Sequence, residues 1–181
     1  MIDGPVPVAS PRQSAVLAPL YDGPAGPTVV LTRRSAHLRN HRGEVSFPGG
    51  RQEDGDVDLA ATALREAQEE IGLDPATVEV VGRLDRLSTF TSRSEIHPFV
   101  GLLEGPPEHL VAQPSEVELI LHVPLADLLD PAAFHEERWT FPSGVNRPLF
   151  FYEIEGDTIW GATGRMLTQL LAIALGLDPR G

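Results

Sequence analysis

Gly49-Gly50, followed after fourteen residues by Arg65-Glu66-Ala67-Gln68-Glu69-Glu70-Ile71-Gly72, is the stretch on which the fold turns. It packs three carboxylates and one guanidinium into six consecutive residues. In a helix, Glu66 and Glu70 lie one turn apart on the same face, with Glu69 beside them. Like charges at that spacing weaken an isolated helix by a few tenths of a kcal/mol per pair. A chain that keeps such repulsion has a use for it, and carboxylate oxygens suit a hard divalent cation. The plainer reading is a solvated acidic face, with Arg65 in a surface ion pair to Glu69.

The flanks predict a helix over about 57–71. Ala60, Ala63, Leu64, Ala67 and Ile71 recur at spacings of three and four and form one apolar stripe, about a quarter turn from Glu66 and Glu70. Asp56 or Asp58 can cap the N-terminus, and Gly72 is the residue type expected just past the C-terminus. One face therefore enters a core while the next carries the acids.

This order of glycines, capped helix, Arg-Glu-x-x-Glu-Glu and terminal Gly resembles the Nudix box, here about residues 50–73. The match is specific in its second half and departs in its first. Fourteen residues separate Gly50 from Arg65 where the strict pattern has thirteen, and the acid between them is Asp56 rather than Glu. Upstream, Leu31-Thr32-Arg33-Arg34-Ser35-Ala36-His37-Leu38-Arg39-Asn40-His41-Arg42-Gly43-Glu44-Val45-Ser46-Phe47-Pro48-Gly49-Gly50 is similar to the motif that marks the coenzyme A diphosphatase branch of that family. Ile159-Trp160-Gly161-Ala162-Thr163 also resembles that branch.

The resemblance implies an α/β fold, a mixed β-sheet in an α/β/α sandwich. It implies hydrolysis of the diphosphate of coenzyme A to adenosine 3′,5′-bisphosphate and 4′-phosphopantetheine, with Mg2+ or Mn2+ as cofactor. The rival substrates are other nucleoside diphosphate derivatives such as ADP-ribose or NADH, and a further rival is a non-catalytic nucleotide-binding domain. Glu66 and Glu70 are the first candidates as metal ligands, then Glu69 and the backbone carbonyl of Gly50, where glycine lets the main chain approach an ion. Such an ion screens phosphoryl charge and acidifies water. By analogy with the family, Arg65 orients a glutamate. The general base is a box glutamate or one on a distant loop. Glu116 sits where such a loop would lie, its plainer reading being an exposed turn residue, and Glu44 is weaker. Arg34, Arg39 and Arg42 are candidates for the substrate's 3′-phosphate, which suits a guanidinium fork. Thr89-Phe90-Thr91-Ser92 stands where the branch has a hydroxyl-rich, Gly-containing loop, and Arg93-Ser94-Glu95 departs from it.

Composition bounds the reading. A chain of 181 residues, 41% hydrophobic and 22% charged, fits one soluble globular domain over 1–181. The net charge of −12 argues against nucleic acid and anionic lipid as partners. It also opposes an anionic substrate unless a bound cation inverts the local field. The absence of cysteine excludes disulfides, thiolate nucleophiles and cysteine zinc sites. No signal peptide or apolar run near 18 residues is visible, so no membrane partner and a cytoplasmic location are expected.

Elsewhere, residues 1–13 read as a loose leader. Residues 14–20 and 28–32 read as a hairpin, with Pro19 confining its strand to an edge or an end. Strands are expected at 78–84, 96–103 and 117–123, a short helix at 125–129, a late hairpin from 139–141 and 149–154, and a second main helix at 163–175. Asp54 to Asp58 imitates a calcium loop, but Leu59 and Arg65 occupy its sixth and twelfth positions, which excludes it. His37 and His41 lack a following zincin glutamate and read as polar loop residues. Trp160 reads as core packing rather than as a platform for adenine.

Overall fold

The computed structural model describes residues 11–38, 42–88, 94–141 and 144–178. Arg39, His41 and Thr89-Phe90-Thr91-Ser92 fall outside these, as do residues 1–10. In chain order the elements are β1 (Arg12–Gly23), β2 (Gly26–Arg34), β3 (Val45–Ser46), β4 (Gly49–Arg51), α1 (Leu59–Ile71), β5 (Val78–Arg83), β6 (Leu87–Ser88), β7 (Ser94–Leu103), β8 (Val117–Pro124), α2 (Leu125–Leu128), β9 (Phe134–Thr140), β10 (Asn146–Ile154), β11 (Asp157–Ile159) and α3 (Gly161–Ala174).

The main sheet runs β3-β2-β1-β7-β5, with β4 on β1, β6 on β7 and β8 on β2. It is mixed, because β1 and β7 are parallel while the other pairs are antiparallel. β9, β10 and β11 form a second, antiparallel sheet. Strand alternation sorts β1 and β2 between two cores. Ala15, Leu17, Tyr21 and Val30 meet Ala63, Ala67 and Ile71 of α1. Ala18, Val29 and Leu31 face Met166, Leu167, Leu170 and Leu171 of α3, together with Tyr152 and Ile159 of the small sheet. This is the expected α/β/α layering. Among the described residues no helix is long and apolar enough to cross a membrane.

One detail of the topology places the site. β1 and β2 pair only from Leu20↔Val29 to Gly23↔Gly26 and then splay apart. The chain from Val45 to Arg51 fills the fork, with β3 on β2 at Thr32↔Ser46 and β4 on β1 at Val16↔Gly49. The Leu17 N–H, donating to the Pro48 carbonyl at 2.9 Å, closes the gap between them.

The fork corrects the expectation for Pro19. That residue lies inside an interior strand, paired to Gly101 of β7. By strand alternation its nitrogen points to the same side as that of Leu17, where β1 passes from β4 to β2 and no ladder bond is due. Arg12 and Gln13, expected outside the first strand, belong to β1. The late hairpin is longer, and α3 begins two residues earlier than periodicity suggests.

α3 lies so close to β10 that a Cβ at Gly164 would stand 2.3 Å from the Phe150 carbonyl oxygen. In an exposed helix, glycine to alanine stabilises by roughly 1 kcal/mol. Here the sign reverses, because the obstacle is backbone. Gly164→Ala is expected to lower stability by about 1–3 kcal/mol, read as a lower urea midpoint at unchanged m.

Candidate active site

α1 is anchored at both ends. Asp58 extends at the N-cap and accepts the Ala61 N–H at 2.7 Å. Gly72 turns left-handed with φ 69°, and its N–H returns to the Gln68 carbonyl at 2.9 Å. Of the two acids that could have capped the helix, Asp56 does different work. Its Oδ1 accepts Nε of Arg65 at 2.9 Å and its Oδ2 accepts Nη2 at 3.1 Å, the Thr62 hydroxyl at 2.9 Å and the Glu53 N–H at 2.9 Å. The Asp56 side chain is only 6% exposed. The bonds from Arg65 and from the Glu53 N–H hold its carboxyl well below the ordinary range, and Asp56 in turn holds the Arg65 guanidinium above its own.

Arg65 spends its remaining donors on the site. Nη2 donates to the Glu66 Oε1 at 3.1 Å and the Arg51 carbonyl at 3.0 Å, and Nη1 to the Glu69 Oε2 at 2.8 Å. The Arg65–Glu69 surface pair is therefore present, on a Glu69 side chain that is 58% exposed, where such a pair contributes roughly 0.3–0.5 kcal/mol. It is one contact of a network that otherwise points inward.

Glu66 and Glu70 face the fork. A Cβ on Gly50 would stand 2.5 Å from the Glu66 carboxyl, so only glycine leaves room for that carboxylate. The Gly49 N–H donates to the Glu70 Oε2 at 3.2 Å. Glu70 is 3% exposed, and burial pushes its carboxyl up to about 7 against the pull of the Gly49 N–H and of Arg34, with Glu66 and Glu116 adding repulsion. Glu66 is raised as well, first by burial, with Glu69 and Glu116 as further repelling charges against Arg65.

Glu116 is an exposed turn residue, as its plainer reading had it, and its charge still acts on Glu66 and Glu70. Arg34 reaches the cluster from the end of β2, and its Nε is buried with no hydrogen-bond partner among the described residues. Arg42 instead donates Nε to the Leu38 carbonyl at 2.5 Å and closes its own loop. Arg33, next to Arg34, pairs with Asp157 at 3.1 Å and Glu118 at 3.5 Å, tying β2 to β11 and β8. Trp160 is 39% exposed and stacks on Phe151 with planes 2° apart and centroids 6.2 Å apart, so it belongs to a surface ring cluster and not to the core.

One buried and one partly buried carboxylate beside a glycine backbone, with too little positive charge to neutralise them, fit a hard divalent cation. Glu66, Glu70 and the Gly50 carbonyl would hold it, since oxygen donors suit Mg2+ or Mn2+. Among the described residues no three acids or imidazoles already converge as a cage, and Glu69 is engaged by Arg65. Sequence reasoning missed the Gly49 N–H as a partner of Glu70 and the grip of Asp56 on Arg65. The adjacent glycines and the acid before the helix were the available signals.

A family model described as the NUDIX domain matches residues 11–145. A Nudix hydrolase from Photorhabdus laumondii, named NudL and described as uncharacterized, is 40% identical over 159 residues, 88% of this chain and 83% of its own. Its namesake from Escherichia coli strain SMS-3-5 is 37% identical over 169 residues, 93% of this chain and 85% of its own. Among solved structures, the Nudix hydrolase RenU of M. smegmatis superposes with a TM-score of 0.52 at 20% identity, over 66% of this chain and 74% of that one. The chain belongs to the Nudix family and has the Nudix fold.

A carboxyl whose pKa is higher folded than unfolded takes up a proton on folding. Its contribution to stability is whole below the unfolded value of 4.5 and is lost as pH rises through about 7. In the presence of a chelator, raising pH from about 5 to about 8 should therefore lower the unfolding free energy by up to a few kcal/mol. Glu70→Gln should flatten that slope, and adding Mg2+ at the higher pH should restore stability. Chemical denaturation across pH measures all three.

Proposed function

We propose that this Nudix hydrolase cleaves the diphosphate bond of coenzyme A, yielding adenosine 3′,5′-bisphosphate and 4′-phosphopantetheine. The observation that carries the reading is the pair Glu66 and Glu70 held against Gly49-Gly50, with Arg34 entering from the block at residues 31–50. Two carboxylates with a shortage of cationic partners would suit a divalent ion, which would supply positive charge to phosphoryl oxygens. That block is also the part of the sequence most similar to the coenzyme A branch.

A bound Mg2+ or Mn2+ would supply charge screening at the phosphoryl oxygens and a lowered pKa for water. Glu66, Glu70 and the Gly50 carbonyl would hold the ion, with Glu69 a further ligand if released from Arg65. Arg65 keeps the Glu66 carboxylate turned toward the fork. Glu116 accepts the proton of the attacking water as its oxygen bonds to phosphorus and the bridging P–O bond breaks. Arg34, Arg39 and Arg42 are assigned to the anionic substrate, and the charge of Arg34 acts on Glu70.

Hydrolysis of coenzyme A, ADP-ribose and NADH with and without Mg2+, with products weighed by mass spectrometry, tests the reading. Coenzyme A should turn over fastest, and only with the ion. Preference for either other compound would reassign the substrate while leaving the chemistry. ADP-ribose belongs in the panel because the Nudix domain of Shewanella oneidensis NrtR, similar in fold at a TM-score of 0.52 and 22% identity over 65% of this chain and 75% of that one, was crystallised with it. Glu70→Gln, folded, should lose turnover by about 100-fold or more, since a neutral amide is a poor ligand for a hard cation. Full activity would remove Glu70 from the site.

Arg39→Ala should raise KM for coenzyme A by about tenfold, the worth of one charge-assisted contact, and leave KM for the 3′-dephospho analogue near its starting value. Equal rises for both compounds would detach Arg39 from the 3′-phosphate.

A further inference from the structure

Three of the last four carbonyls of α1 have partners in the protein rather than ending in solvent: those of Gln68, Glu70 and Ile71. Gln68 is satisfied by Gly72, but Glu70 and Ile71 take their donors from a distant segment. The Gln113 N–H donates to the Glu70 carbonyl at 2.8 Å, and the Val111 N–H to that of Ile71 at 2.9 Å. The Gln113 carbonyl accepts the Glu116 N–H at 2.9 Å and the Val117 N–H at 2.8 Å. The Glu116 carbonyl accepts the Ser35 N–H at 2.8 Å. A continuous peptide-to-peptide chain therefore runs from Glu70 through Gln113 and Glu116 to Ser35, the residue after Arg34.

Each link joins an element that carries a site residue to the next. Glu70 comes from α1, Glu116 from the turn before β8 and Arg34 from the end of β2. Leu110, Ala112 and the buried Val117 pack on the α1 core and hold both ends of the segment, but the turn between them, from Gln113 to Glu116, is exposed and has little of its own to fix a side chain. Hydrogen bonds in series polarise one another, and the last-turn carbonyls of a helix bear partial negative charge that favours N–H donors.

We propose that Gln113 is a positioning residue: its backbone, bonded at once to Glu70 and Glu116, sets the distance between the proton-accepting carboxylate and the acids that hold the ion. The proposal deepens the functional reading and rests on Glu116 as proton acceptor. The side chain of Gln113 has no part in it; the backbone donor does. Gln113 already precedes Pro114, which biases it toward the extended region that proline itself occupies.

Gln113→Pro removes the donor to Glu70. The expected result is a kcat lower by roughly 10–100-fold, what a displaced catalytic group costs, with KM for coenzyme A and the dissociation constant for Mn2+ each within about twofold. If the proline variant does not fold, the backbone ester at residue 113, installed through an α-hydroxy acid, deletes the same donor without changing shape. A double-mutant cycle separates positioning from general support of the fold. In a Glu116→Gln background, loss of the residue-113 donor should cost less than about a further twofold, because the group it positions is already disabled. The same loss in both backgrounds, or a loss confined to KM or Mn2+ affinity, would overturn the proposal. An impaired Glu116→Gln beside a folded, fully active Gln113→Pro or ester variant would overturn it and leave the base assignment standing. Full turnover by Glu116→Gln would take both down.

Discussion

The structure depends on how closely the backbone at Gly49 and Gly50 approaches the acids of α1. That approach exists because β1 and β2 separate after four paired positions and the segment from Val45 to Arg51 wedges between them. The wedge brings a peptide edge, not side chains, up to Glu66 and Glu70. A side chain at Gly50 would occupy the space of the Glu66 carboxylate, and one at Gly49 would run into the Ala15 carbonyl and Val16 Cα. Local sequence, sheet topology and site chemistry therefore share one steric condition at two adjacent residues.

Charge is sorted on either side of that wedge. Asp56, Arg65 and Glu69 form a group in which cation and anions nearly answer one another, and Asp56 is held ionised by it. Glu66, Glu70 and Glu116 are left with a share of Arg65 and the more distant Arg34, and burial pushes the first two toward protonation. The arrangement costs stability at neutral pH when nothing binds, and a divalent ion would offset that cost. A net charge of −12 would then be compatible with an anionic substrate, because the acids of the proposed site would serve as seats for positive charge.

Much of this was legible in the sequence where periodicity or capping chemistry operates over long segments. α1 could be bounded within two residues because stripe, cap and terminal glycine agree, and the strands at 78–83, 94–103 and 117–124 declared themselves by β-branched and apolar runs. β3, β4, β6 and β11 span two or three residues each, too short for any period to show. Pro19 misled because the rule against proline in interior strands assumes a continuous neighbour on each side, and here the neighbour changes at that residue. Trp160 misled for a related reason: an aromatic residue beside an apolar helix reads as core, yet it lies on the outer face with Phe151 and Trp139. The effect of Glu116 on Glu66 and Glu70 was illegible because bonds from its segment to the end of α1 and to Ser35, joined by a local turn, place it.

The two departures from the box pattern compensate each other. Asp at position 56 is one methylene shorter than the Glu of the strict pattern, so at an unchanged backbone position it would fall short of the guanidinium. One additional residue between Gly50 and Arg65 gives the loop slack to bring its backbone closer. A turn closed by the Asp56 N–H on the Glu53 carbonyl at 3.0 Å, and by the Glu53 N–H on the Asp56 carboxylate, fixes that path. The result is a two-pronged contact at 2.9 and 3.1 Å, the geometry that matches a guanidinium fork to a carboxylate. Lengthening this side chain without shortening the loop would push Arg65 toward Glu66 and Glu69. Shortening the loop without lengthening the side chain would draw the Asp56 carboxylate away and leave Arg65 only its bonds to Arg51, Glu66 and Glu69. Loop length and acid identity therefore act as one variable, and a chain that changes both can keep the same arginine geometry over the same pair of glutamates.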